Sequence, residues 1–381
     1  MAAPASRHLV LAGGGHSHVL VLTALIEQPE PRLRLTVVSP GRYATYSGMV
    51  PGVIAGQYAL RAAQIDVAAL AARAGAAFVP ARAVRVDPAK RTLLLDDGAA
   101  LAYDLLSFDI GSRPKRIAAM DPAAPVIALR PIERAVAELD TAVTAPRADG
   151  GPGIVVVGSG AGGSEVALAL AARLRERPRM ITVCDPGAHP VESRGPRTAV
   201  RVERAFAEVG IDFVGGATVE RVTREGVTFA GRRELPADVI IWATGAAAPD
   251  LFAASGLPVD ACGHLLVDAA LRCTTHSDIF AAGDCATMTA HPDLPKAGVF
   301  AVRQAPILAR NLRAAARDEP LVPYQPQRRY LALLNTCDGR AIFSYGHFAY
   351  RGRSAWWLKD WIDRRFVARF NRAVGGQSVR R

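Results

Sequence analysis

The sequence predicts an α/β fold built from two copies of one unit, because a buried strand, a glycine-rich turn and a helix follow one another twice. The first copy runs from His8 to Val38 and the second from Gly153 to Asp185. The length agrees: 381 residues, 50% of them hydrophobic, can bury two to three cores.

In the first copy His8–Ala12 reads as a buried strand. Gly13-Gly14-Gly15 follows it, then a helix from His16 to Ile26 and a strand from Leu33 to Val38. In the second copy Gly153–Val157 is a strand rich in β-branched residues. Gly158-Ser159-Gly160-Ala161-Gly162-Gly163 follows it, then an apolar helix from Ser164 to Leu174 and a strand from Met180 to Cys184 that ends at Asp185. The stretch from Ala142 to Gly151 reads as a linker, and a second boundary is expected between Ala246 and Pro249. Beyond Pro320 the chain becomes more aromatic and basic.

The second turn, Gly158-x-Gly160-x-x-Gly163, carries the chemistry of a dinucleotide site. The first glycine permits the tight turn, the second lets backbone approach a pyrophosphate, and the third lets helix and strand pack closely. The helix N-terminus supplies the N–H donors. Asp185 can accept from ribose hydroxyls and disfavours a 2′-phosphate, so NADH is expected over NADPH. Arg194 and Arg197 are near enough in sequence to oppose that preference. The competing reading is a glycine turn without a ligand.

The first turn is less regular. It reads Gly13-x-Gly15-x-x-His18, with no third glycine, and Ser39 stands where an acid would follow the second strand. Ser39 can bond a ribose hydroxyl, and His18 reads as a packing or capping residue. Catalysis by His16 or His18 is the alternative. Two later segments share the form turn, buried strand, glycine: Tyr103 to Ser112, with Gly111, and Ala237 to Gly245. A strand from Ser277 then ends in Gly283-Asp284 before a helix.

The net charge of +11 suits nucleotide phosphates, anionic lipid or nucleic acid. No nucleic-acid motif accompanies it, so nucleic acid is not expected. No apolar run is long enough to cross a bilayer, and the first residues do not read as a signal peptide, so a cytoplasmic location is expected. Cys184, Cys262, Cys273, Cys285 and Cys337 form no C-x-x-C pair; neither a metal site nor a disulfide framework is expected.

Together these residues resemble the pyridine nucleotide–disulfide oxidoreductase superfamily over roughly residues 8 to 315. The resemblance implies two Rossmann-like dinucleotide-binding domains of the FAD/NAD(P)-binding kind. FAD would occupy residues 1–115 and 247–318, NAD(P)H residues 150–246, and residues 319–381 would form a small C-terminal region with an amphipathic helix. It implies FAD contacts at Gly13, Gly14, Gly15, His18, Ser39, Gly111, Gly283 and Asp284. It implies NAD(P)H contacts at Gly158, Gly160, Gly163, Glu165, Asp185 and Gly245, with Glu165 near the nicotinamide. No catalytic residue is expected, because the flavin carries the chemistry. Lys296 and Gln304 would neighbour the flavin.

The chain departs from the superfamily where the redox disulfide would stand. Tyr43-Ala44-Thr45-Tyr46-Ser47-Gly48-Met49 holds no cysteine, which resembles type II NADH dehydrogenases and sulfide:quinone oxidoreductases. Asp109-Ile110 stands where Ala-Thr is usual. The quinone-side Ala-Gln-x-x-Ala-x-Gln stretch reads Gly298 to Gln304, with Val299 for its first glutamine. Gly13 to Val19, Tyr46 to Met49 and Lys359 to Phe366 resemble a narrower bacterial group linked to selenide, water dikinase. From Ser354 to Phe370 the sequence places Leu358, Trp361, Ile362, Phe366 and Phe370 on one helical face, with Lys359, Arg364, Arg365 and Arg369 beside them. That helix suits either an anionic membrane surface or packing, on the FAD domain or across a dimer.

The expected function is an FAD-dependent NAD(P)H oxidoreductase that passes electrons to a quinone-like or other small acceptor. The alternatives are a reductase for an iron–sulfur or selenium-pathway protein, a sulfide:quinone oxidoreductase-like enzyme, and a non-catalytic flavin or nucleotide sensor.

Overall fold

The computed structural model describes residues 6–375 apart from 116, 145–152, 178 and 232. Its first unit contains β1 (Arg7–Ala12), α1 (His16–Glu27), β2 (Leu33–Val38), β3 (Ala77–Val79) and β4 (Leu105–Phe108). The second contains β5 (Val126–Ala128), α2 (Ile132–Thr144), β6 (Gly153–Val157), α3 (Ala161–Arg173), β7 (Ile181–Cys184), β8 (Ile211–Val214) and β9 (Glu234–Trp242). The chain then returns to the first unit with β10 (Ile279–Ala281) and α4 (Gly298–Ala316). Three strands, β11 (Ala332–Asn335), β12 (Ala341–Tyr345) and β13 (Phe348–Gly352), precede a last helix, α5 (Arg353–Ala373).

The first sheet has the order β10-β4-β1-β2-β3, with every neighbouring pair parallel. Leu9, Val10, Leu11 and Leu106 are fully buried, as expected for parallel strands covered on both faces. The second sheet runs β8-β7-β6-β9, with β5 parallel to β9 and an antiparallel hairpin beyond it. Between the sheets the chain crosses twice, and Arg113–Pro114 pairs antiparallel with Ala246–Ala247 at the crossing.

Most element expectations agree with the structure within a few residues. The second nucleotide helix differs, since it starts at Ala161 and takes Gly162 and Gly163 into its first turn. The expected linker differs too: Ala142–Thr144 end α2, and residues 145–152 lie outside the described residues.

The expected face of the C-terminal helix is corrected in part: Phe366 and Phe370 pack against the core as expected, but Trp361 does not. The residues that α5 buries are Ala355, Lys359, Asp363, Val367 and Phe370, whereas Trp357 and Trp361 are 62% and 58% exposed. The pattern misleads because a charged pair is buried. Lys359 Nζ donates to Asp363 Oδ2 at 2.8 Å and to the Gly48 carbonyl at 2.7 Å, which satisfies both groups inside the protein.

Candidate functional site

Both glycine turns stand at the carboxyl ends of their sheets, where open α/β folds bind ligands. At the second turn Gly158 has φ +105°, and a Cβ there would lie 2.6 Å from the Ala243 carbonyl. A Cβ on Gly163 would lie 2.0 Å from the Gly158 carbonyl. These two glycines are required by packing. Gly160 differs: its φ is −57°, and a Cβ would meet nothing within 4 Å. Beyond it the first amides of α3 meet no protein acceptor among the described residues, as the end of a helix requires. Open space beside unpaired N–H donors fits a pyrophosphate.

Asp185 lies beside this turn, accepting from Ser159 N at 2.6 Å and Gly187 N at 2.8 Å. A Cβ on Gly187 would lie 2.6 Å from Glu192 Oε2, so a second acid faces the same corner. The arginines that could offset them are engaged elsewhere. Arg194 stacks over the Tyr330 ring at 4.0 Å, and Arg197 donates to the His347 carbonyl at 3.4 Å. The Gly245 carbonyl accepts from Lys115 N at the crossing between units.

At the first turn Gly13 has φ +101°, and a Cβ would lie 2.3 Å from the Asp109 carbonyl. A Cβ on Gly14 would meet Ser39 Oγ at 3.2 Å, which places Ser39 beside the loop. His18, the departure from the glycine pattern, is fully buried. Its Nδ1 meets the Gly13 carbonyl at 2.7 Å and its Nε2 meets Ser107 Oγ at 2.9 Å. The ring thus braces the turn against β4. Burial lowers its pKa to about 4, so it stays neutral at pH 7.

Gly283 and Asp284 come up beside this turn. Gly283 has φ +71° and donates its N–H to Gln304 Oε1 at 2.7 Å. Gly111 also adopts φ +67°. Lys296 donates to the Ala286 carbonyl and to Thr287 Oγ1, and it lines a cleft with Asp284 and Gln304. Burial depresses the Lys296 pKa, opposed by the Asp260 charge. The N-terminus of α4 points here as well: a Cβ on Gly298 would lie 3.6 Å from Ser47 Oγ and 4.0 Å from His16 Nδ1. The first glycine turn, the Gly-Asp strand end and the N-termini of α1 and α4 therefore lie together. The first turn fits FAD with one exception, the Asp109 carboxyl.

Sequence reasoning missed three features. Asp109 Oδ2 accepts from Ser17 N and His18 N at the start of α1. Arg130 forms an ion pair with Asp284 at 2.9 Å. The third is a buried polar cluster where the redox disulfide would otherwise lie. Glu165 does not face open space; its Oε1 accepts from Asn335 N at 2.7 Å, and the Lys359 charge reaches it. Burial pushes Glu165 up to about 7 and also raises Asp363. The Lys359 ammonium, facing both carboxyls, is held above its usual value in spite of burial. The Tyr46 ring packs at a tilt against Phe366, centroids 4.5 Å apart, and lies 5.5 Å from His16, so the loop is pinned by α5. Only the i,i+4 spacing of Lys359 and Asp363 hinted at this cluster.

This is the architecture of a two-nucleotide flavoprotein: two parallel-sheet units, each with a glycine turn, joined by crossing strands. Residues 7–305 match the pyridine nucleotide-disulphide oxidoreductase family, and the chain belongs to it. It is 28% identical over 243 residues to an NADH dehydrogenase-like protein of Mycobacterium tuberculosis, covering 60% of this chain and 59% of that one. It is 29% identical over 200 residues to the demethylphylloquinone reductase NdbB of Synechocystis, covering 51% of this chain and 49% of that one. The chain therefore spans about half to three-fifths of the length of these relatives. Among solved structures, NDH2 of Plasmodium falciparum in complex with NADH superimposes with a TM-score of 0.80 at 14% identity, covering 96% of this chain and 97% of that one. The sulfide:quinone oxidoreductase of Aquifex aeolicus gives 0.79 at 19%, covering 97% and 92%. At such identities the likeness is one of fold.

Proposed function

We propose that the protein is an FAD-dependent NADH oxidoreductase that passes electrons to a quinone. The observation that carries this is the open Gly160 turn, with its unpaired helix amides and adjacent acids, in a chain that also holds a second glycine turn beside Gly283-Asp284. FAD would lie along residues 1–115 and 247–318, with Gly13, Gly14, Gly15, Ser39, Gly111, Lys296 and Gln304 around it. NADH would lie along residues 150–246, on Gly158, Gly160, Gly163, Asp185 and Gly245. When bound, FAD accepts a hydride and returns electrons singly or in pairs. The chain's own part is to bind, orient and exclude water. The paired acids Asp185 and Glu192 support NADH over NADPH.

Quinone as acceptor is supported by the quinone-reducing relatives and by the cysteine-free loop. A thiol relay through Cys184 or Cys285 is disfavoured: both are buried, and burial pushes each thiol up to about 12. Exposed Trp357 and Trp361, with the Arg353 and Arg365 guanidinium groups 5.8 and 5.3 Å from their ring centroids, support a peripheral contact with the cytoplasmic membrane face. Among the described residues, no helix is long and apolar enough to cross a membrane. The narrower likeness to the group linked to selenide, water dikinase belongs to this proposal too. The test is anaerobic reduction of the holoenzyme by NADH, then reoxidation by a panel of quinones. Bleaching by NADH followed by quinone-dependent recovery is the expected result. Bleaching without recovery by any quinone, but with recovery by ferredoxin, would replace quinone with a protein acceptor.

A further inference from the structure

The two glycine turns each end on a helix, yet the two helix ends are not alike. At α3 a Cβ on Gly160 would stand in open space. At α1 the corresponding Cβ, on Gly15, would lie 2.4 Å from the Asp109 carboxylate. Asp109 Oδ2 accepts from Ser17 N at 2.6 Å and from His18 N at 3.0 Å. On its other side, a Cβ on Gly283 would lie 2.8 Å from Asp109 Oδ1. A protein carboxyl thus holds the helix amides at the turn where a pyrophosphate would bind, and Asp284 brings a second acid to the same place.

We infer that Asp109 couples flavin retention to a proton: the FAD pyrophosphate is held at the α1 turn when the Asp109 carboxyl is protonated and is weakened when it ionises. This rests on the first turn being the FAD site. Two anions sharing one buried helix end repel one another, and one must be neutralised. The neighbours do not do it. On α1, His18 is neutral and committed to Gly13 and Ser107, and burial also lowers His16. After β10, Asp284 is paired with Arg130, and the Cys285 thiol is neutral. From α4 comes Gln304, which is uncharged and bonded to Gly283. Lys296 is bonded to Ala286 and Thr287. Asp109 is therefore the group that gives way, and its environment prepares this: burial pushes it up to about 7, with the Asp284 charge adding to the shift and the two amides opposing it.

The balance is simple. Above pH 7, ionised Asp109, one proton and FAD give the complex with Asp109 protonated. Below pH 7 no proton is taken up. A protonated carboxyl keeps an oxygen for the amides and gains an O–H donor, so the helix cap survives the change.

The experiment dilutes the holoenzyme and follows FAD release by its fluorescence from pH 6 to 9 at constant ionic strength. The apparent Kd is expected to be flat below pH 7 and to rise toward about tenfold per pH unit above it. Asp109→Asn, which keeps an acceptor for both amides without a titratable proton, is expected to flatten the curve and to bind FAD about 30-fold more tightly than wild type at pH 8.5. A flat wild-type curve, or an unchanged slope in Asp109→Asn, overturns the inference. If the variant does not fold, the wild-type slope alone decides. Absence of bound FAD at every pH would instead overturn the assignment of FAD to this turn.

Discussion

Replacing Gly160 by valine should separate NADH binding from folding. The backbone there is extended, with φ −57° and ψ 176°, which any residue adopts. Because a Cβ meets nothing within 4 Å, the side chain enters solvent rather than protein. Stability should stay within about 0.5 kcal/mol of wild type. The added methyl groups would stand where a pyrophosphate must approach the α3 amides. Loss of one charge-assisted hydrogen bond costs about 1.5–3 kcal/mol, so the Kd for NADH should rise roughly 10- to 150-fold. The assay is stopped-flow reduction of the flavin under anaerobic conditions, reading the dependence of rate on NADH concentration. The visible spectrum and Tm serve as controls. Gly163→Ala is the contrast, since its Cβ would sit 2.0 Å from the Gly158 carbonyl and must move backbone. That variant should lose stability as well as NADH binding. An unchanged NADH dependence in Gly160→Val, with the flavin still bound, would refute the assignment of this turn.

Lys359→Met should remove the cation that faces two buried carboxyls, at a cost of about 3–5 kcal/mol. Carboxyls whose folded-state pKa is raised destabilise as pH rises from the unfolded value toward the folded one, so the variant's Tm should fall more steeply than wild type between pH 5 and 8. His18 works in the opposite direction: its folded pKa, near 4, lies below the ordinary value of 6.5, so its contribution is lost as pH falls through that window. In denaturant titrations, wild type should lose roughly 3 kcal/mol relative to His18→Asn between pH 6.5 and 4, the comparison cancelling the opposite contribution of the buried carboxyls. For the nicotinamide, kcat/KM for NADH should exceed that for NADPH by about tenfold or more, and Asp185→Asn should narrow the ratio. In liposome flotation, alanine at both Trp357 and Trp361 should weaken binding to anionic vesicles about tenfold or more, with steady-state reduction of a soluble quinone analogue unchanged.

The fold was legible because it rests on local signals. Strands such as Gly153–Val157 are continuous apolar runs, and the glycines that follow are imposed by close backbone approach, visible here at Gly158 and Gly163. Each of these requirements lies within a few residues of the chain. The site was legible only in part, because its decisive contacts join residues far apart in sequence. Asp109 reaches α1 across some ninety positions, and Glu165 meets Asn335 across 170. At Asp109 the sequence did show a departure from the usual Ala-Thr, but not that the carboxyl would cap the helix expected to hold the flavin phosphates. At α5 the hydrophobic pattern was right only in part: Phe366 and Phe370 pack inward, but Lys359 and Asp363 are buried as a bonded pair while Trp361 remains outside. Burial of that pair ties α5 to the Gly48 loop, the place where the superfamily's disulfide would lie. The loop that lost its cysteines is therefore held by a charge cluster from the far end of the chain. Its rigidity should depend on protonation rather than on redox state.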